Sequence, residues 1–227
     1  QRLLMALQPV LASSPKPLNI LDVGSGTGWL IKQLQAAQPS AWCCALDLSE
    51  GMLRSLSAGA NERVHRVCAD ASVLPMASSA FDLVVSNFAL HWCDDPLQVL
   101  NELHRVCVPG GQAFCVIPVS GSLSARGDTS TTGASLLPLA TWQHALAASP
   151  WTLRQADSET YEEFHDSPTA WLSTLRALGV TAQRPAASVN ALSPRQALQQ
   201  LHRRLESARE PAGIPLRYEV WRIHLQA

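Results

Sequence analysis

The sequence has almost no excess of charge and no long apolar run. Its 227 residues carry 17 Lys and Arg against 18 Asp and Glu, which gives a formal net charge of −1 and no global reason to expect a nucleic-acid partner. No apolar run approaches the roughly 18 residues that span a membrane. The start of the chain also lacks the basic, apolar and small-residue regions of a signal peptide. We therefore expect a cytoplasmic protein without a membrane or nucleic-acid partner.

The six cysteines lack the spacing of a metal site or of a disulfide framework. The sequence contains no CxxC pair and no Cys/His cluster with zinc spacing. Cys44, Cys68 and Cys115 lie in apolar, strand-like runs, where a thiol behaves as a small hydrophobic side chain. We expect reduced cysteines and no metal.

Strand and helix patterns alternate through the first half of the chain. Strands are predicted at 18–24, 41–48, 64–70, 81–90 and 112–119, and helices at 29–38, 49–58 and 95–108. Strands separated by helices of this length are typical of βαβ units. The pattern predicts an α/β fold with a doubly wound, mostly parallel sheet.

The second half is less regular. A polar loop is predicted at 120–135, helices at 141–149, 167–179 and 193–210, an extended segment at 151–164, and a last strand at 215–227, expected at the edge of the sheet. We expect one domain over 1–227, with a core at 18–119, a helical cap and acceptor region at 120–214, and the last strand at 215–227. Because the chain begins without Met in a helix-like segment, we also expect that an N-terminal segment is missing.

A glycine-rich turn follows the first predicted strand in ILDVGSGTGWL, residues 20–30. Gly24, Gly26 and Gly28 form GxGxG. The dinucleotide motif GxGxxG would need glycine where Trp29 stands, and a phosphate loop would need a Lys after the turn. Glycine alone discriminates weakly, because any tight strand-to-helix turn favours it.

Acidic residues end three successive predicted strands. Asp22 lies near the end of the first strand, Asp47 ends the second, 19 residues after Gly28, and Asp70 with Ala71 ends the third. In a doubly wound sheet, the second acid can accept both hydroxyls of a ribose. The third can accept from an exocyclic amine such as that of adenine. Each acid alone is a common turn residue, but together they predict a nucleoside site.

These motifs resemble those of the class I S-adenosylmethionine-dependent methyltransferases over most of 18–119. The similar segments are DVGSGTG, ALDLSEGML, CADASVLPMASSAFDLVVSNFALHW and ELHRVCVPGG. The resemblance implies a Rossmann-like, seven-stranded sheet and S-adenosyl-L-methionine as cofactor, with S-adenosyl-L-homocysteine as product. It also implies that the glycine turn lies under the methionine part, that Asp47 holds the ribose, that Asp70 with Ala71 faces the adenine, and that Met52 packs on it.

The cofactor-binding residues predicted in this way form one set. They are Asp22, Gly24, Ser25, Gly26, Gly28, Asp47, Leu48, Met52, Asp70, Ala71 and Asn87.

Further segments resemble the biotin-pathway malonyl-[acyl-carrier-protein] O-methyltransferases. They are VSNFALHWCDDPLQVL, GSL after the fifth strand, TAWLSTLRALGVT and GIPLRYEVW. Residues 124–135 depart from that family, because they are polar where it usually has a helix. The resemblance implies methyl transfer to a malonyl group on an acyl carrier protein.

The chemistry of such an acceptor calls for orientation more than for proton transfer. A carboxyl with a pKa near 4 is already ionised, so no general base is expected. Arg176 is the candidate anchor for the acceptor carboxylate, while His91 and Asn87 are candidates for positioning acceptor or cofactor. The alternatives for these three are a surface arginine, a structural histidine and a strand-end cap.

The end of the chain is basic. From Arg195 onward there are six arginines and three glutamates. An acyl carrier protein is small and acidic, so Arg195, Arg203, Arg204 and Arg209 are predicted to receive it. The alternative is a solvated helix face.

Other functions remain open at this point. They are a methyltransferase acting on a quinone ring or on a small acid such as trans-aconitate, an NAD-dependent dehydrogenase, and a non-catalytic module that only binds the cofactor.

Overall fold

The computed structural model describes residues 2–56, 62–125, 136–177 and 194–227, without the side chains at 176, 177 and 194. Most of the predicted polar loop lies outside these residues. The helices are α1 (Arg2–Ser13), α2 (Trp29–Ala37), α3 (Glu50–Ser55), α4 (Pro96–Val106), α5 (Leu139–Ala148), α6 (Pro168–Ala177) and α7 (Pro194–Ser207). The strands are β1 (Asn19–Val23), β2 (Trp42–Asp47), β3 (Val64–Cys68), β4 (Phe81–Asn87), β5 (Cys107–Pro118), β6 (Thr152–His165) and β7 (Ile214–Gln226), and a short 3₁₀ turn spans Leu90–Trp92.

The seven strands form one sheet in the order β3-β2-β1-β4-β5-β7-β6. The pairs β1–β2, β2–β3, β1–β4 and β4–β5 are parallel. The chain thus runs outward from β1 through β3 and then returns to the other side of β1 with β4. This confirms the predicted α/β, doubly wound, mostly parallel sheet, with helices inserted among the later strands. The reversal between β1 and β4 is where such sheets bind ligands, at the carboxyl ends of the strands.

The last strand was predicted at the sheet's edge, and that prediction is wrong. Strand β7 lies between β5 and β6, and β6 is at the edge. The burial of the two strands gives the reason. Seven of the thirteen residues of β7 are buried, whereas none of the fourteen in β6 is. Charged side chains in β6 are typical of an edge strand, which must not pair with other chains.

Strand β5 begins earlier than predicted. The predicted helix 95–108 ends at Val106, and β5 includes the Pro-Gly-Gly segment that was expected to separate helix from strand. Gly110 N donates to the carbonyl of Ala227 at 2.9 Å, and Ala227 N donates to that of Gly111 at 3.0 Å. Pairing with the end of the chain therefore extends the strand through residues that a local pattern marks as a break.

The chain divides into two compact units. The first comprises 1–117, 139–157 and 221–227, and the second 118–138 and 158–220. In the first unit, α2 presents Leu30, Ile31 and Leu34 to the sheet at the spacing of an amphipathic helix.

The second unit has a small core of its own around Trp171, which is fully buried. The indole of Trp171 donates to the carbonyl of Pro215 at 2.9 Å. Leu175 of α6 and Leu205 of α7 belong to the same cluster.

All six cysteines are free thiols. Within the described residues, no helix combines the length and apolar character needed to cross a membrane.

Candidate cofactor site

The glycine turn is fixed to the neighbouring strand by its backbone. Gly24 N and Ser25 N both donate to the carbonyl of Leu46 in β2, at 2.8 and 2.9 Å. Gly24 has a φ of +73°, and a Cβ added to it would lie 2.0 Å from the Cβ of Ala89. Gly26 has a φ of +53°, but a Cβ there would meet no described atom within 4 Å. The turn is therefore tightly packed at Gly24 and open at Gly26.

Asp47 connects the glycine turn to the loop after β2. Its Oδ2 accepts from Gly26 N at 2.8 Å, and its Oδ1 accepts from Ser49 N at 2.8 Å. Each carboxylate oxygen can accept a second hydrogen bond, so two ribose hydroxyls can still be bound. We did not predict from the sequence that Asp47 also positions the turn. The available signal was an acid two residues before the helix N-cap Ser49, a common turn arrangement.

Two apolar residues, Leu48 and Met52, follow Asp47 closely in the chain. Leu48, directly after Asp47, is 73% exposed, and Met52 on α3 is half-buried. Both residues belong to the predicted cofactor set.

Asp70 and Ala71 lie in the loop after β3. Asp70 is exposed, and its Oδ1 accepts from Ser72 N at 2.8 Å. Ala71 is half-buried. Because β1, β2 and β3 are parallel neighbours, this loop emerges at the same edge of the sheet as the glycine turn and Asp47.

The loop after β3 is held by an ion pair on α4 that the sequence analysis missed. Glu102 accepts from Leu74 N at 2.8 Å, while Arg105 donates to the carbonyls of Leu74 and Met76 at 2.9 and 2.8 Å. Glu102 and Arg105 also pair with each other at 2.7 Å. The Arg105 guanidinium holds the pKa of Glu102 below its usual range. The i, i+3 spacing of the two charges on a helix was the available signal.

Asp22 is buried at the end of β1. It is 1% exposed, and its Oδ2 has no hydrogen-bond partner among the described residues. Burial, with a smaller contribution from the nearby Asp47 charge, raises the pKa of Asp22 to about 8. The hydroxyl of Ser25, in the turn that follows, is likewise buried without a partner among the described residues.

His91 and Asn87 follow β4 at the same edge. His91, in the 3₁₀ turn, is 8% exposed, and neither ring nitrogen has a described partner. Its ring centroid lies 4.7 Å from that of Trp92, which is partly exposed. Burial lowers the pKa of His91 to about 4, so the imidazole is neutral at pH 7. Asn87 is half-buried at the last position of β4.

The remaining predicted residues lie in the second unit. Arg176 is on α6, and its side chain lies outside the described residues. Arg195, Arg203 and Arg204 are exposed on α7. Arg209 pairs with Glu206 at 2.8 Å and donates to the carbonyl of Asp166 at 3.0 Å. The predicted cofactor residues are thus all in the first unit, around the ends of four parallel strands, and the predicted acceptor and partner arginines are in the second.

Comparison with known proteins identifies related sequences and folds. The model of a methyltransferase domain family matches residues 21–115. Malonyl-[acyl-carrier protein] O-methyltransferase of Hahella chejuensis (strain KCTC 2396) is 33% identical over 213 residues, which cover 90% of this chain and 75% of that protein. The protein of the same name from Alcanivorax borkumensis is 31% identical over 213 residues, covering 90% of this chain and 72% of the relative.

A solved structure agrees with the sheet topology. The S-adenosylmethionine-dependent methyltransferase of Mesorhizobium loti superposes with a TM-score of 0.58 at 22% identity, covering 98% of each chain. At this identity the likeness shows the fold.

Proposed function

This chain belongs to the malonyl-[acyl-carrier protein] O-methyltransferase family and is a methyltransferase, and from that premise we propose that it esterifies the free carboxylate of malonyl-[acyl-carrier protein] with the methyl group of S-adenosylmethionine. This would be the step that starts pimeloyl synthesis for biotin. We base the proposal on one observation: Asp22, Asp47 and Asp70 lie with the open glycine turn at one edge of the sheet. The family membership supports the choice of acceptor.

The residues present fit S-adenosylmethionine. Asp22 Oδ2 and Ser25 Oγ are buried and have no hydrogen-bond partner among the described residues, so they need a ligand or water. The open space at Gly26 lets a ligand approach the backbone. Asp47 would hold the ribose, and Met52 would pack against the adenine. When bound, the cofactor supplies a methyl group on a positively charged sulfur.

On the acceptor side the protein has to orient an anion. A malonyl carboxylate is ionised at neutral pH, so alignment and exclusion of water carry the rate. His91 is neutral, and neither ring nitrogen has a partner in the part of the chain that the structure describes. It can therefore donate one hydrogen bond without placing a charge in the site. Asn87 is a second candidate donor, and Arg176 is the proposed cationic anchor.

The carrier protein would dock on the exposed arginines of α7. No described residue forms an ion pair with Arg195, Arg203 or Arg204, which leaves their charge available to an acidic partner. Arg209 is already engaged by Glu206, so we assign it a smaller part. Attraction of this kind speeds association and weakens with salt.

The test is methyl transfer from S-adenosylmethionine labelled in its methyl group. Malonyl-[acyl-carrier protein], a quinone precursor and trans-aconitate are compared as acceptors, with the unmalonylated carrier protein as control. We expect label on the malonyl carrier alone, in a base-labile form because the product is an ester. Label on the quinone ring or on trans-aconitate instead would contradict the proposed acceptor.

A further inference from the structure

The strongest unexplained feature of the site is the isolation of the Asp22 carboxyl. It is 1% exposed, its Oδ2 lacks a described hydrogen-bond partner, and no described cation pairs with it. A carboxylate in such a place has lost its water without receiving a compensating charge or hydrogen bond at that oxygen. Moving an unpaired charge out of water is so costly that the group neutralises instead.

The titratable groups around Asp22 give no compensation for a negative charge. From β2, Asp47 adds like charge, and Cys43 and Cys44 are neutral thiols because burial raises their pKa values to about 12 and about 11. On the β4 side of Asp22, the residue in register is Val85, which is apolar and offers neither charge nor a side-chain hydrogen bond.

The polar groups close to it in the chain do not compensate either. The hydroxyl of Ser86 in β4 donates to the carbonyl of Val23 at 2.8 Å, so that donor is already used. The hydroxyl of Ser25, in the glycine turn, does not donate to Asp22 Oδ2, since neither atom has a partner among the described residues. The surroundings of Asp22 therefore favour its protonated form in the free protein, in agreement with the raised pKa of this carboxyl.

We propose that Asp22 carries a proton in the free protein and releases it to water when a cationic ligand occupies the glycine turn, so that Asp22 selects for positive charge and binding is coupled to the loss of one proton. The inference rests on the proposed cofactor, since S-adenosylmethionine brings a sulfonium and an ammonium group. A cation beside the carboxyl supplies the charge that the protein itself lacks and favours the ionised form. The proton goes to the buffer, and the ion pair between ligand and Asp22 replaces it.

Calorimetric titration in buffers of different ionisation enthalpy counts the protons. At pH 6.5 the ammonium group of the ligand is already protonated, so any release comes from the protein. We expect close to one proton released per bound S-adenosylmethionine at pH 6.5, falling toward zero near pH 8, where Asp22 of the free protein and the ammonium group of the free ligand both lose their protons. Below about pH 7, the dissociation constant should fall about tenfold per pH unit as pH rises.

Two variants assign the proton. Asp22→Asn keeps the shape of the side chain but has no proton to lose, so it should bind more weakly and release none. Asp70→Asn removes a carboxyl from the same site and should still release close to one proton. If Asp22→Asn does not fold, difference infrared spectroscopy of the wild-type protein gives the second readout, because ligand binding should remove the band of a protonated carboxyl.

The outcomes are distinguishable. Binding without net proton release, or without loss of the protonated-carboxyl band, overturns the inference and leaves the cofactor proposal intact. Undiminished release from Asp22→Asn overturns the assignment to Asp22. Absence of any binding contradicts the proposed cofactor, and with it the inference.

Discussion

Gly24 and Gly26 are two residues apart and have similar backbone angles but different surroundings. Both have a positive φ, which costs an L-residue roughly 1–2 kcal/mol. Only at Gly24 does an added Cβ collide, 2.0 Å from the Cβ of Ala89, whereas Gly26 faces the open space that we assign to the cofactor. We therefore propose different roles for the two glycines, close packing at Gly24 and ligand access at Gly26.

The alanine variants of these residues should separate stability from binding. Gly24→Ala should lower the free energy of unfolding by about 2–4 kcal/mol, because strain and overpacking add. Gly26→Ala should lower it by only about 1 kcal/mol while raising the dissociation constant of S-adenosylmethionine at least tenfold. Urea unfolding and calorimetry measure the two effects. Equal destabilisation, or unchanged affinity in Gly26→Ala, would contradict this account.

Buried titratable groups make a second prediction at the scale of single residues. The pKa of Asp22 is raised to about 8, so the folded state holds a proton that the unfolded state loses above about pH 4. The pKa of His91 is lowered to about 4, so its effect on stability has the opposite sign and ends near pH 6.5. Between pH 6.5 and 8, therefore, Asp22 but not His91 makes the free energy of unfolding depend on pH. The protein should become less stable as pH rises through this range.

The slope for the ligand-free protein should approach 1.4 kcal/mol per pH unit in that window. Asp22→Asn should bring this slope of the free energy of unfolding against pH close to zero. Urea unfolding at several pH values measures both proteins. A stability that rises from pH 6.5 to 8 in the wild type, or an equal fall in the variant, would show that the sign or the residue is wrong.

At the scale of elements, α4 supports the loop that carries Asp70. Arg105 donates to the carbonyls of Leu74 and Met76 and pairs with Glu102, which in turn accepts from Leu74 N. A helix outside the predicted cofactor set thus fixes the far end of the site.

Arg105→Ala should leave these acceptors unpaired, at a cost of about 1–3 kcal/mol. The loosened loop should raise the dissociation constant of S-adenosylmethionine several-fold. Arg54→Ala is the matched control, because Arg54 forms an exposed i, i+4 pair with Glu50, which is worth at most about 1 kcal/mol. If the two variants lose the same stability and affinity, α4 does not support the site.

The helices and strands show which parts of the fold can be predicted from local sequence patterns. The strand, glycine turn and helix over 18–38 were predictable because hydrophobic spacing and turn residues act locally. The hydrogen bond from Gly26 N to Asp47 was not, since it joins residues 21 apart. The position of β7 between β5 and β6 was missed for the same reason, because which strands become neighbours depends on long-range pairing.

At the scale of the whole molecule, the chain separates the predicted roles between its two units. The cofactor residues belong to the first unit, and α7 with its exposed arginines belongs to the second. Binding of the carrier protein and binding of the cofactor should therefore respond to different substitutions.

Arg203→Glu combined with Arg204→Glu should raise the dissociation constant of malonyl-[acyl-carrier protein] about tenfold at low salt. It should also reduce the salt dependence and leave S-adenosylmethionine binding unchanged. Lys32→Glu on the exposed face of α2 controls for charge and should change neither. Unchanged carrier affinity in the double variant, measured by fluorescence anisotropy of labelled carrier protein, would exclude α7 as the docking surface.

We propose that the loops after β1, β2 and β3 form one site for S-adenosylmethionine. Calorimetric titration of the wild-type protein and of Asp47→Ala, with S-adenosylmethionine and with NAD⁺, tests it most directly. We predict one-to-one binding of S-adenosylmethionine, no heat with NAD⁺, and at least a tenfold loss of affinity in Asp47→Ala. Binding of NAD⁺, or full affinity in Asp47→Ala, would contradict the claim.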